Sequence, residues 1–204
     1  MRIVGNAKVL ASALSLAARV APARTTLPAL GACRLAVANG AVELAATDLD
    51  VSLQFRPAGV VGEGNGAVLL PARFLAELFR HLDGEFELED AGTGVELRCG
   101  QGRFALNAVD PASYPQVPSP QKGPDARVEF AFLRQAASRV GFACLQDASL
   151  PVLTGILWEE GPEGLVLVAT DVTRLAYWVV AKQVVGERGK VVVPGRAVAL
   201  AAGM

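Results

Sequence analysis

The stretch "VELAATDLDVSL" at residues 42–53 is an apolar run that breaks at Thr47-Asp48, turns, and resumes. Nearly the same wording returns as "LVLVATDVTRLA" at 165–176, broken at Thr170-Asp171. Working outward, Leu27-Pro28 recurs as Leu150-Pro151, and "VLLPAR" ending at Arg73 recurs as "VVVPGR" ending at Arg196. The three matches share one shift of 123 residues, which is 150 minus 27, 170 minus 47 and 196 minus 73. A period that long marks a duplicated domain, since solenoid units run to roughly twenty to fifty residues.

At 204 residues, 52% hydrophobic and with a mean hydropathy of +0.37, the chain has enough apolar material for one or two sizeable cores. A net charge of −1 and a pI near 5.9 point, as averages, to a bland soluble protein rather than a nucleic-acid binder. Cys33, Cys99 and Cys144 are far apart and without CxxC spacing, which supports neither a disulfide framework nor a zinc site and fits a reducing cytoplasm. The opening "MRIVGNAKVLASALSLAARVAPA" imitates a secretory signal, but Arg19 interrupts its apolar region and a similar segment recurs inside the chain. No run approaches the roughly 18 apolar residues of a membrane span. A cytoplasmic location is expected.

Residues 6–20 read as an amphipathic helix, with Val9, Leu10, Ala13, Leu14, Leu16, Ala17 and Val20 on the apolar face and Lys8, Ser12, Ser15 and Arg19 on the other. Strands follow at 32–38 and 41–47 around the hairpin signal Asn39-Gly40, then at 50–57 and 66–70, while "GVVGEGNG" at 59–66 reads as a loop. Pro71 opens a second helix through about Leu82, burying Phe74, Leu75, Leu78, Phe79 and Leu82 and leaving Arg73, Glu77 and Arg80 outside. Strands at 85–89, 94–99 and 103–108 complete the first copy.

The proline-rich stretch 110–124 reads as the linker, which divides the chain into a first domain at 1–122 and a second at 123–204. The second copy predicts a strand at 127–130, a helix at 131–141, strands at 152–159, 164–170, 173–183 and 190–193, then Pro194 and a helix. By the same shift its last strands would fall at 208–231, past Met204, so the reading frame is expected to continue into a longer protein. The fold class is α+β, a duplicated domain of antiparallel sheet with two helices on one face.

The four helices carry Lys8, Arg19, Arg73, Arg80, Arg134, Arg139 and Arg196 against the single acid Glu77, leaving nineteen of the 20 acidic residues elsewhere. Helices that bury an apolar stripe on a sheet turn the polar stripe outward, so each domain gains a cationic side. Such a side without a base-reading motif suits phosphate contact without sequence preference, although a charged stripe is also what any solvated helix face carries.

The segments "RTTLPALGACRLAV" (24–37), "LAATDLDVSL" (44–53), "LLPARFLAELFRHL" (69–82), "GRFALNAVDPASYP" (102–115), "LPVLTGILWE" (150–159) and "VATDVTRLA" (168–176) resemble, in order and spacing, the bacterial sliding clamp, the beta subunit of DNA polymerase III. That resemblance implies a non-catalytic processivity factor: three copies of one domain per chain, and a head-to-tail homodimer of full-length chains that encircles double-stranded DNA with helices inside. It implies the polymerase III alpha subunit, the clamp loader and other proteins bearing a clamp-binding motif as partners, and no cofactor or metal. It also implies DNA contact at Arg24 and Arg196, alongside the helix cations, and in the loop from Gln146 to Pro151, where Pro151-Val152 stands in place of the family's aromatic pair. A peptide pocket is implied at Leu153, Thr170, Arg174 and Leu175, with Val172-Thr173 in place of a common Gly-His. The arginine stem is suited to framing an anchor pocket, while Thr170-Asp171 reads as a turn.

An enzyme is the rival class, and the residues give it nothing: His81 has no triad or metal spacing, and no GxSxG, HExxH or Walker pattern occurs. The other rival is a peptide-binding, clamp-like scaffold that does not load on DNA.

Overall fold

The computed structural model describes residues 1–92, 94–117, 126–147, 149–161, 164–180, 185–186 and 189–203. Residues 118–124 of the expected linker with Asp125 after it, the end of the expected strand 173–183, Ala148 and Met204 lie outside them. The chain divides into two compact units, Met1–Ser119 and Pro120–Met204.

In the first unit β1 (Arg2–Asn6) leads into α1 (Ala7–Val20), whose start is capped by the Asn6 side chain accepting from the Lys8 amide at 3.0 Å. Then come β2 (Ala32–Ala38), β3 (Ala41–Thr47), β4 (Ser52–Phe55), β5 (Val60–Glu63) and β6 (Gly66–Pro71). The helix α2 (Ala72–Arg80) follows, and β7 (Glu85–Asp90), β8 (Val95–Cys99) and β9 (Gly102–Leu106) end the unit. All pairings are antiparallel, in the order β6-β2-β3-β5-β1-β7-β8-β9, with β4 also on β3. Asn39 and Gly40 both have positive φ, 51° and 77°, the geometry the tight β2–β3 hairpin requires. The two helices lie side by side against β2, β3 and β6. Leu10, Leu14, Leu75 and Phe79 from the helices join Ile3, Leu35, Leu44, Leu88 and Leu97 from the sheet in a core that excludes water. Phe79 meets Phe86 edge-on at 5.1 Å.

The second unit repeats the plan. It contains β10 (Ala126–Arg127), α3 (Phe130–Arg139), β11 (Gly155–Gly161), β12 (Gly164–Thr170), β13 (Leu175–Val180), β14 (Val185–Gly186), β15 (Lys190–Pro194) and α4 (Gly195–Ala202). Strand order β13-β12-β11-β15 matches β4-β3-β2-β6, and β10 pairs β14 as β1 pairs β5. The starts of β11, β12, β13 and both helices fall 123 residues after their counterparts. Its core is aromatic: Phe132 meets Trp158 edge-on and stacks on Trp178, both at 5.5 Å between centroids.

The fold class is as the repeat predicted, with corrections of detail. Residues 59–66 are not a loop throughout, because Val60–Glu63 forms β5 against β1. Val60 and Gly62 face inward there, and a Cβ at Gly62 would collide with Val37, so the glycine that made the segment look like a turn is what lets two strands approach. The strand β1 itself lies ahead of the first element expected from periodicity. Phe74 and Val9 are not in the core; Phe74 is 58% exposed. The second helix ends at Arg80, with His81 as its cap beside Glu77, and the strand predicted at 127–130 gives way to α3 from Phe130. The proline-rich stretch does not hang free from its start. Asp110 caps a short turn at Pro111–Ser113, and Tyr114 packs with Ala29, Ala32 and Leu69 while its hydroxyl donates to the Ala45 carbonyl at 3.3 Å.

Both tryptophans of the chain lie in the second unit, so their fluorescence reports on that unit. Phe79→Ala is expected to cost the first unit about 3–5 kcal/mol. The calorimetric transition should fall while the tryptophan-detected transition holds its midpoint; a shared fall would mean that the two units unfold as one.

Candidate nucleic-acid and peptide interfaces

The helix pair of the first unit encloses an open cleft of about 570 Å³ whose polar lining includes Ser12, Ser15, Arg73, Glu77 and Arg80. Arg73 donates from Nη2 to the Ala21 carbonyl at 3.4 Å, capping the end of α1, and Arg80 pairs with Glu77. Lys8, Arg19 and Arg24 are exposed on α1 and on the loop after it. In the second unit Arg134 occupies the position of Ala11 and donates from Nε to the Ala202 carbonyl at 3.1 Å, closing the end of α4. Arg196 occupies the position of Arg73 and is exposed. Arg139 takes the position of Leu16, and its guanidinium lies 5.0 Å from the Trp178 ring centre, turned toward the sheet.

Helix electrostatics sorts these cations. Arg19, Arg80 and Arg139 stand in the last turns of α1, α2 and α3, where a positive charge offsets the helix dipole and needs no ligand. Lys8, Arg73 and Arg196 each stand at the second residue of a helix, where a cation opposes the dipole. None of those three helices has an acid in its first turn. Three helix starts therefore combine outward amides, the positive dipole end and a basic side chain, an arrangement that helix stability disfavours and anions favour.

The repeated Thr-Asp motif is one turn built twice. Thr47 Oγ1 accepts from the Leu49 amide at 3.1 Å and donates to the Val51 carbonyl at 3.2 Å; Thr170 Oγ1 does the same with Val172 at 3.1 Å and Arg174 at 2.7 Å. Asp48 Oδ1 holds the amides of Asp50 and Val51, and Asp171 Oδ1 those of Thr173 and Arg174. Both turns force a branched apolar residue into the left-handed region, Leu49 at φ 81° and Val172 at φ 78°. Around the second turn, Val172 is 73% and Leu175 66% exposed, Thr173 is exposed, and Leu153 is half-buried, its carbonyl accepting from the Leu145 amide. Phe142, 55% exposed, lies under the Arg174 guanidinium, 5.7 Å from ring centre to Cζ. Sequence periodicity gave no sign of Phe142, which sits in a short turn after α3.

A third feature was also missed. The strand β9 ends the sheet order, and beside it Leu70, Phe74 and Leu106 line a groove of about 250 Å³. Its only sequence clue is that the apolar arc of α2 is wider than a buried stripe needs. The cysteines are buried, and burial pushes the Cys33 thiol up to about 12, away from nucleophile chemistry.

Paired cation-bearing helices on antiparallel sheet, repeated in one register, define the α+β domain of sliding clamps. The chain belongs to the DNA polymerase III beta subunit family: the family's N-terminal domain matches residues 1–118 and its central domain residues 127–204. It is 29% identical over 185 residues to a beta sliding clamp of Staphylococcus aureus, covering 86% of this chain and 49% of that one. With a beta sliding clamp of Synechococcus elongatus it shares 30% over 179 residues, 86% and 48% of the two chains. The crystal structure of the DNA polymerase III subunit beta from Pseudomonas aeruginosa superposes with a TM-score of 0.85 at 28% identity, covering 99% of this chain and 56% of that one. The Thermotoga maritima beta subunit shares the fold at a TM-score of 0.86 and 20% identity, over 99% and 55% of the two chains. The chain spans about half the length of the curated relatives it matches.

Relieving the left-handed valine gives a direct check on the turn. Val172→Gly should stabilise the second unit by about 1 kcal/mol in denaturant unfolding followed by tryptophan fluorescence. The turn also has a pH signature. Donation from the Thr173 hydroxyl, then from the Arg174 and Thr173 amides, holds the Asp171 carboxyl below its ordinary value of 3.8. Its contribution is then complete above that value and lost as pH falls through the lower folded value. The Thr173 and Arg174 amide resonances should be constant from pH 8 to about 5 and move only in stronger acid.

Proposed function

We propose that this chain is part of a sliding clamp, a non-catalytic processivity factor of the cytoplasm that surrounds duplex DNA without reading sequence and tethers the replicative polymerase to it. The observation that carries the reading is the cation at the second residue of α1, α2 and α4, placed against the local dipole. Lys8, Arg73 and Arg196 then make the principal phosphate contacts, with Arg24 and Arg134 beside them; Arg19, Arg80 and Arg139 add to the field from the helix ends. Contacts of this kind are weak and indifferent to base sequence, which permits sliding.

The same reading assigns Leu153, Thr170, Val172, Thr173, Arg174 and Leu175 to one wall of a docking site for short peptides of the polymerase alpha subunit, the clamp loader and other motif-bearing partners. Exposed Leu175 and Val172 beside an arginine are the residue types that anchor such segments. Head-to-tail assembly of full-length chains is supported on this chain by the open β9 edge and the neighbouring Phe74. A DNA-free peptide scaffold is the second reading, favoured by the engagement of Arg73, Arg134 and Arg139 with groups of their own chain.

Binding of the chain to a 30-base-pair duplex of arbitrary sequence, measured across salt concentrations, separates the two. The clamp reading expects weak, sequence-independent binding, and each of Lys8→Glu, Arg73→Glu and Arg196→Glu should lower the salt slope by about one. Lys8→Glu should at the same time raise the thermal midpoint, since it corrects the dipole. Peptide capture without any salt-dependent DNA binding would establish the scaffold instead.

A further inference from the structure

We propose that the groove between the outer face of the first unit's sheet and the proline-rich segment after β9 is a binding site for a neutral primary carboxamide carried on a flat apolar body. This site is independent of the clamp reading and goes beyond it.

The duplication supplies an internal control for the outer face of this sheet. Leu69, Arg34, Ala45 and Gln54 stand side by side across β6, β2, β3 and β4, and Glu43 lies two residues earlier on β3. The same row in the second unit is Val192, Leu157, Val168 and Tyr177, with Val166 in the place of Glu43. One copy thus builds the four strands with no charge at these positions. The sheet itself does not require Arg34, Glu43 or Gln54.

In the first unit a strap crosses this row and is held to it at three points. The Val109 amide donates to the Leu69 carbonyl at 2.9 Å, Asp110 caps the turn at Pro111–Ser113, and the Tyr114 hydroxyl donates to the Ala45 carbonyl. Strap and sheet enclose a groove of about 370 Å³, with Pro111, Tyr114 and Pro115 on the strap side and Arg34, Glu43 and Gln54 on the sheet side. That volume suits a small ligand.

The sheet side holds an ion pair that lacks hydrogen bonds. Arg34 Nη1 and Glu43 Oε1 are 3.7 Å apart, beyond hydrogen-bonding distance, with side chains only 36% and 27% exposed. Among the described residues neither side chain makes a hydrogen bond. Two half-covered charges in that state have given up hydration that their mutual attraction does not restore. A primary carboxamide completes both at once, its oxygen accepting from the guanidinium and its NH2 donating to the carboxylate, with no charge left over. A carboxylate ligand would face Glu43, and a cation would face Arg34. Gln54 offers a third polar partner, while Tyr114 and the two prolines supply the apolar wall against which a flat body packs.

The test uses the chain labelled with ¹⁵N and three probes that share one ring and differ in the head group: benzamide, benzoate and benzamidinium. Titrations are followed at the amides of Arg34, Glu43, Ala45, Gln54 and Tyr114. Benzamide is expected to bind about tenfold tighter than either ion, since each ion leaves one partner unsatisfied and faces a like charge. Glu43→Val should turn the preference toward benzoate and Arg34→Leu toward benzamidinium, each variant taking the residue that the second unit carries. The double variant should lose the benzamide preference while amides elsewhere in the chain stay in place. Equal binding of the three probes to the unaltered chain overturns the inference, and so does the absence of any shift at these amides. Preferences that pass unchanged through both substitutions overturn it as well. The comparison on the unaltered chain decides the matter even if a variant fails to fold.

Discussion

An amphipathic helix laid on a sheet can hide one stripe only, and in this chain that constraint governs everything outside the core. Once Leu10, Leu14, Leu75 and Phe79 are buried, Lys8, Ser12, Ser15, Arg73 and Arg80 have nowhere to go but outward. The helix starts at Ala7, Ala72 and Gly195 fix three cations one residue further on. Their placement follows from the backbone and needs no flexible arm. Near-neutral net charge and a locally cationic surface are therefore compatible, because the acids lie almost entirely off the helices.

Much of the fold was legible because the chain states it twice. The shift of 123 residues carries the starts of β2, β3, α1 and α2 onto those of β11, β12, α3 and α4, although the strand expected at 152–159 begins only at Gly155, after a short helical turn at Pro151–Thr154. Where a feature depended on distant partners, the sequence was silent. The four residues of β5 sit among Gly59, Gly62, Gly64 and Gly66, so local preference reads a loop, and pairing with β1 outweighs it. Helical spacing places Phe74 beside Leu75 and Leu78 and so predicts it in the core, yet the buried arc of α2 is narrower than its apolar arc.

The candidate sites divide the same way. The cations could be named from sequence, but their sorting into dipole-favoured and dipole-opposed positions needed helix ends located to the residue. The turn residues could be named too, since a Thr-Asp pair that bonds its own backbone is a local device. Phe142 could not, because its meeting with Arg174 joins a turn after one helix to a turn before a strand. That Leu49 and Val172 adopt the same rare backbone shows that the strain belongs to the shared turn and not to either side chain.

The nine-stranded sheet of the first unit has a crease. Between β3 and β5 the ladder thins to one residue pair, Ala41 with Val61, and a backbone bond from the Gly62 amide to the Gly40 carbonyl. The strands on either side are zipped over four to six residue pairs. In the second unit the same line falls between two separate sheets, β13-β12-β11-β15 and β10-β14. Each unit is thus two stiff plates joined along a line where little hydrogen bonding resists rotation, and elastic compliance is built into the middle of each domain.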